Sequence, residues 1–122
     1  MFRVKVDSLS NLISLRFSGE FDAGQGKALS ALFAEQLNKL KPGFKLLTDL
    51  SKLTSMEVEA YKSIYNIMDL SNRKGVAQVV RVLANKDLDI GFNIMSLFHY
   101  SKSVEIQTCS TLKEAKTIVR RK

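Results

Sequence analysis

Residues 43–57 read Gly-Phe-Lys-Leu-Leu-Thr-Asp-Leu-Ser-Lys-Leu-Thr-Ser-Met-Glu, and the fold follows from how this stretch divides. Phe44, Leu46, Leu47 and Leu50 form a short apolar run entered through Pro42-Gly43, the pattern of a strand covered on both faces. Asp49 and Ser51 stand where that strand is expected to end. Thr54 to Glu57 then has the spacing of a capping box, with Leu53 and Val58 placed as a hydrophobic staple. The helix that follows is expected to turn Val58, Tyr61, Ile64, Tyr65 and Met68 toward a sheet. It stops at Asn72-Arg73-Lys74-Gly75, a basic last turn and a glycine. Partners of open α/β sheets are usually met beyond the carboxyl ends of the strands, so the bend from Ser51 to Glu57 is the first candidate surface.

On the N-terminal side, Phe2, Val4 and Val6 alternate with Arg3, Lys5 and Asp7, the period of a half-buried strand. Residues 8–11 turn, and Leu12 to Phe17 resumes in extended form, which predicts an antiparallel hairpin at a sheet edge. Arg3, Lys5 and Arg16 would discourage that edge from pairing with another sheet. After Gly19, Asp22 is placed to cap a helix carrying Leu29, Leu32, Phe33, Leu37 and Leu40 at helical spacing. Lys41-Pro42-Gly43 ends it.

On the C-terminal side, Val76 to Leu83 is the strongest strand signal in the chain. Ala84 to Asp87 is a polar bend, and Leu88 to Ser101 reads as a third helix, apolar on most sides. Val104 to Cys109 is a last short strand. Thr111 to Glu114 repeats the capping-box spacing and opens a helix with Leu112, Ala115, Ile118 and Val119 inward. The predicted order is β-β-α-β-α-β-α-β-α. Such alternation requires right-handed crossovers, hence an α/β fold with a largely parallel sheet, an antiparallel hairpin at one edge and four helices.

The 122 residues are most economically one domain, spanning 1–122 and long enough to bury a core without disulfide or metal. An apolar fraction of 45% and a single proline exclude disordered and fibrous classes. One cysteine cannot close an intramolecular bridge, and the first residues lack the apolar core of a signal peptide, so a reducing, cytoplasmic setting is expected. No run approaches the roughly 20 apolar residues of a membrane span. The net charge of +7 favours acidic partners at long range. Much of it lies near helix C-termini, where cations are favoured anyway.

Catalytic chemistry is sparse. Gly24-Gln25-Gly26-Lys27-Ala28 resembles a phosphate loop only superficially. Position 21 is phenylalanine instead of the first glycine, and Ala28 replaces the Ser/Thr that would hold magnesium. His99 is the one histidine, so no histidine-based metal site is expected, and as a residue closing an apolar helix it reads as structural. Cys109 reads as a buried small apolar group. Asp87 and Asp89 read as helix-capping carboxylates, and Asp49 as an acceptor for backbone N–H groups of the following bend. No enzyme, cofactor or metal is expected.

The stretch Leu46-Leu47-Thr48-Asp49-Leu50-Ser51-Lys52-Leu53-Thr54-Ser55-Met56-Glu57, with the amphipathic helix, the Val-rich strand and the final strand-helix pair containing Thr111-Leu112-Lys113-Glu114-Ala115, resembles the STAS domain, and within it the SpoIIAA-like branch of anti-sigma factor antagonists. The resemblance implies a STAS-like mixed sheet and a regulatory module that binds a protein partner. Regulatory members carry a phosphorylated serine at the start of the second helix, in an Asp-Ser-x-Gly setting. Aligned on Asp49-Leu50-Ser51, the aspartate becomes Glu57, the serine Val58 and the glycine Ala60, so the switch is missing from its usual place. Phosphate near a helix N-terminus would be favoured at Thr54 or Ser55, and with Thr54 assigned to capping, Ser55 is the candidate phosphoacceptor.

The first reading is therefore a non-enzymatic protein-interaction module. Its partner surface is Ser51, Thr54, Ser55, Met56 and Glu57, with Asn85, Lys86 and Asp87 beside them. The second is a carrier or sensor of a small apolar or lipid-like ligand under the third helix, with Phe92, Met95 and Phe98 lining the pocket. It is suggested by the similarity of SpoIIAA-like proteins to lipid-carrier domains of the Sec14 type. Nucleic acid ranks third, since the basic residues are not interleaved with exposed aromatics. The apolar third helix leaves a homodimer open, with burial against the sheet the expected outcome.

Overall fold

The structure, a computed structural model, describes residues 1–83 and 100–120. Five strands form one sheet in chain order: β1 (Phe2–Asp7), β2 (Leu12–Phe21), β3 (Lys45–Met56), β4 (Gln78–Val82) and β5 (Glu105–Cys109). β1 and β2 pair antiparallel, and every later pairing is parallel. The predicted largely parallel sheet with an antiparallel edge hairpin is thus present.

Three α-helices are described: α1 (Ala23–Leu37), α2 (Tyr61–Lys74) and α3 (Leu112–Arg120). The helix expected over 88–101 falls mainly on residues 84–99, outside the described residues. Its expected end does not hold, because Tyr100 is in a bend and Ser101 is irregular. α1 and α2 cover one face of the sheet, where Leu29, Phe33, Ile64, Ile67 and Met68 meet Ile13, Leu15, Phe17, Leu46, Leu50 and Val79. α3 covers the other face over the C-terminal strands, with Ala115 and Val119 packed on Leu47, Val80, Val82 and Cys109. Cover from both sides explains why all five residues of β4 are buried, Gln78 and Arg81 included.

The local signals at the helix ends decide most of this. The Asp22 carboxylate accepts the Gln25 N–H at 2.8 Å and starts α1. The Thr111 hydroxyl accepts the Glu114 N–H at 3.2 Å and starts α3. Gly75 closes α2 in the left-handed region, at φ +97°, and its carbonyl accepts the Gly43 N–H at 2.7 Å, tying the end of α2 to the approach to β3.

α1 stops at Leu37, short of the expected Leu40, and two strand ends also differ from expectation and are coupled. β2 does not end at Phe17 but continues to Phe21, and β3 does not end near Ser51 but continues to Met56 beside it. The register slips between Arg16 and Ser18 and again between Gly19 and Glu20, where β3 carries an extra residue each time. Gly19, at φ +67°, supplies the backbone freedom this irregular ladder needs. With Thr54 inside a strand, the capping box at Thr54–Glu57 does not form. A 3-10 turn, Val58–Ala60, leads into α2 instead, and Glu57 makes no side-chain cap to it. The hydrophobic staple fails too, since Val58 is 77% exposed.

Candidate functional site

The corner where β3 meets α2 is built by the overrun of β3. Ser51 is half-buried and bound to Asp49: its N–H donates to Asp49 Oδ1 at 3.0 Å and its hydroxyl to the same oxygen at 2.6 Å. Asp49 Oδ2 takes the Arg16 guanidinium, Nε at 3.3 Å. Asp49 is 5% exposed, so its charge is answered on both oxygens, as burial of a carboxylate requires. This is the role expected of an acid at a strand end, with an ion pair to β2 added. The pairing of Arg16 with Asp49 in the β2–β3 register was readable only once the two strands were known to be adjacent.

Thr54 and Ser55 are exposed on β3, and Met56 is half-buried. Ser55 stands opposite Glu20 in the ladder, in extended backbone and ahead of the turn. Glu57 has a structural part. Its N–H donates to the Phe21 carbonyl at 2.9 Å, and its Oε1 accepts the Ala23 N–H at 3.3 Å, placing a carboxylate at the N-terminus of α1 rather than α2. Ser51 to Met56 are therefore not a loop but the end of a strand, with Lys52, Thr54 and Ser55 exposed. Asn85, Lys86 and Asp87, the candidate pocket residues Phe92, Met95 and Phe98, and His99 lie outside the described residues.

Sequence reasoning missed two exposed side chains beside this corner. Val58 and Tyr65, both expected to face the sheet, are 77% and 38% exposed. The buried stripe of α2 instead runs through Ala60, Ile64, Ile67, Met68 and Ser71. The spacing of Ile64, Ile67, Met68 and Ser71 fits one helical face as well as the predicted set does, and it includes Ile67. Val58 in the turn and Tyr65 on α2 are left exposed, near Lys62, which pairs with Glu59 at 3.3 Å, while half-buried Tyr61 packs against the core as expected.

Cys109 is buried, as expected, and its thiol is raised above its ordinary range, first by desolvation and then by the nearby carboxylates of Glu114 and Asp49. On the α1/α2 side, burial pushes Tyr100 up to about 12, against the opposing influence of Arg81 and a Ser71 hydrogen bond. Arg81 itself is 2% exposed in β4, a guanidinium buried among the valines of that strand. Among the described residues, no cluster of His, Cys, Asp and Glu is disposed to hold a metal ion, and no helix is long and apolar enough to cross a membrane.

No protein-family model and no curated protein matches the chain. Solved structures do. An uncharacterized DUF3478-family protein with a SpoIIAA-like fold from Shewanella loihica superposes with a TM-score of 0.74 at 11% identity, over 97% of this chain and 93% of that one. The anti-sigma factor antagonist SpoIIAA in its unphosphorylated form gives 0.72 at 14% identity, over 98% of each. An anti-sigma factor antagonist from Mycobacterium paratuberculosis gives 0.60 at 20% identity, over 99% of this chain and 96% of that one. The chain has the SpoIIAA-like, STAS-like fold.

Proposed function

We propose that this chain is a non-enzymatic protein-interaction module of the SpoIIAA type that docks a partner at the β3–α2 corner without a covalent switch. The observation that carries it is the exposure of Val58. In the alignment on Asp49-Leu50-Ser51 it takes the place of the phosphoacceptor serine, and it stands 77% exposed in the turn that starts α2. The position keeps its outward presentation while the hydroxyl is replaced by an isopropyl group. A β-branched apolar side chain in that setting is suited to contact and unsuited to phosphoryl transfer.

Ser51, Thr54, Ser55 and Met56 form the strand side of this surface, and Val58, Tyr61 and Tyr65 its helix side. Glu57 contributes by holding the corner to α1. Asn85, Lys86 and Asp87, which follow β4 in the sequence, are proposed as part of the same surface. Thr54 and Ser55 are the hydroxyls that a kinase would find exposed there, although the ladder partner of Ser55, Glu20, makes added negative charge less welcome than a helix N-terminus would.

Affinity capture from cells of origin, using wild type and Val58→Lys, tests the reading. A partner recovered by wild type and lost by Val58→Lys, with the variant's melting curve unchanged, is the expected result. A partner retained equally by both, or none recovered by either, overturns it. Intact-mass analysis of protein purified from the same cells is expected to show no added phosphate.

A further inference from the structure

The sheet face that α3 covers is left open over β1 and β2, and a trough of about 730 Å³ runs there between those strands and α3. Its walls gather six cations, Arg3 and Lys5 from β1, Arg16 from β2, Lys45 from β3, and Lys116 and Arg120 from α3, against two carboxylates, Asp7 and Asp49. The surplus of four is more than half of the chain's net +7. We infer that this trough binds an extended acidic segment of a partner protein, an inference that rests on the interaction-module reading but uses a different surface from the corner.

Three features point to that occupant. Arg3 and Arg16 are direct cross-strand partners, and like charges set opposite one another weaken a sheet, so the arrangement has a stability cost that an anion in the trough would relieve. Arg3, Lys5, Lys116 and Arg120 make no ion pair among the described residues, whereas Arg16 is held by Asp49 and Lys45 donates to the Val119 carbonyl at 2.6 Å. The cations are also spread over four elements and alternate with aliphatic Leu12, Leu47, Leu112 and Val119. A compact phosphate asks for convergent donors and backbone N–H groups. Nucleic acid asks for aromatic faces. The lining holds neither a glycine nor an aromatic residue. A membrane asks for a flat basic face, whereas these cations line a trough. Carboxylates repeated along a chain, with aliphatic side chains between them, match the trough in charge and in its mixed basic and aliphatic lining.

The test is fluorescence anisotropy with a short labelled peptide of alternating glutamate and leucine, in low and in high salt. Binding is expected to weaken with salt. It should fall about ten-fold in Arg3→Glu with Lys5→Glu, and again in Lys116→Glu on the facing helix. Lys27→Glu with Lys62→Glu, the same charge change on the α1–α2 side, should leave it within about two-fold. Equal loss in that control pair, or no binding, overturns the inference. So does displacement of the peptide by oligothymidine, inositol hexakisphosphate, decanoate or phosphatidylserine vesicles at lower concentration than unlabelled peptide. Val58→Lys should bind the peptide normally. Peptide binding without corner-dependent partner capture would sink the corner reading alone, and the reverse pattern would sink the trough alone.

Discussion

Gly26 of α1 lies so close to Ser63 of α2 that a Cβ at position 26 would stand 2.5 Å from the Ser63 Oγ and 3.0 Å from its Cβ. The glycine that resembled part of a phosphate loop is the contact point of two helices. The hydroxyl can rotate away, but the Ser63 Cβ cannot. Gly26→Ala should therefore destabilise by about 1–2 kcal/mol despite the better helix propensity of alanine. In a Ser63→Gly background the same substitution should be neutral or stabilising. Urea denaturation of the four proteins, read as a double-mutant cycle, checks the reversal.

Asp49 joins β2 to β3 where the ladder first slips. Replacing it by alanine leaves the Ser51 N–H and hydroxyl without their acceptor and Arg16 without its partner, and a loss of about 2–3 kcal/mol is expected. Asp49→Asn keeps an oxygen for Ser51 and gives up only the ion pair. Because Arg16 is half-exposed, that pair is discounted for solvent, and the loss should be about 1 kcal/mol or less. A midpoint shift in urea without a change in slope would locate both effects in stability.

The mixed sheet with its antiparallel edge hairpin and the helix ends were legible because their signals are local: alternation in Phe2 to Asp7, Asp22 ahead of α1, Thr111 ahead of α3, Gly75 after α2. The corner was not. Thr54-Ser55-Met56-Glu57 carries a helix-start spacing, but β2 continues along Ile13, Leu15, Phe17, Gly19 and Phe21 at period two, and β3 pairs with it to the end. Pairing between strands distant in sequence outweighed a local capping pattern worth about 1 kcal/mol. Gly19 hid the continuation, since a glycine within a strand pattern reads as a stop as readily as a bulge. The open trough was illegible for a related reason: Arg3, Lys5, Lys116 and Arg120 are brought together only by α3 folding back beneath the sheet.

Cys109 should behave as a protected thiol. Burial and the carboxylates of Glu114 and Asp49 hold it in the protonated form at neutral pH, with Sγ 3.5 Å from both the Arg81 and Thr111 carbonyl oxygens. Alkylation by iodoacetamide at mildly alkaline pH should be slower than in urea-unfolded protein by at least about ten-fold. Glu114→Gln removes the stronger of the two carboxylate influences and should speed the native reaction modestly. Native and unfolded rates within about two-fold of one another would contradict the buried placement.

Tyr100 supplies a pH dependence of definite sign. Burial favours its neutral phenol and pushes it up to about 12 from the ordinary 10.0, with Arg81 and the Ser71 hydrogen bond working in the opposite direction and the Asp69 charge adding to the rise. The fold binds this proton more tightly than the unfolded chain does. The resulting stability is complete below pH 10 and is lost as pH rises from there through the folded value. At 9% exposure little solvent discount applies, and the total is on the order of 2–3 kcal/mol. Lysines titrate in the same window, so the comparison must be made against Tyr100→Phe. That variant should be less stable than wild type at neutral pH through loss of the hydroxyl's hydrogen bond, yet should lose less stability between pH 10 and 12. Phenolate absorbance followed in the same titration should show one step near 12 that disappears in the variant. Parallel stability curves for the two proteins across this range would mean that the phenol is solvated.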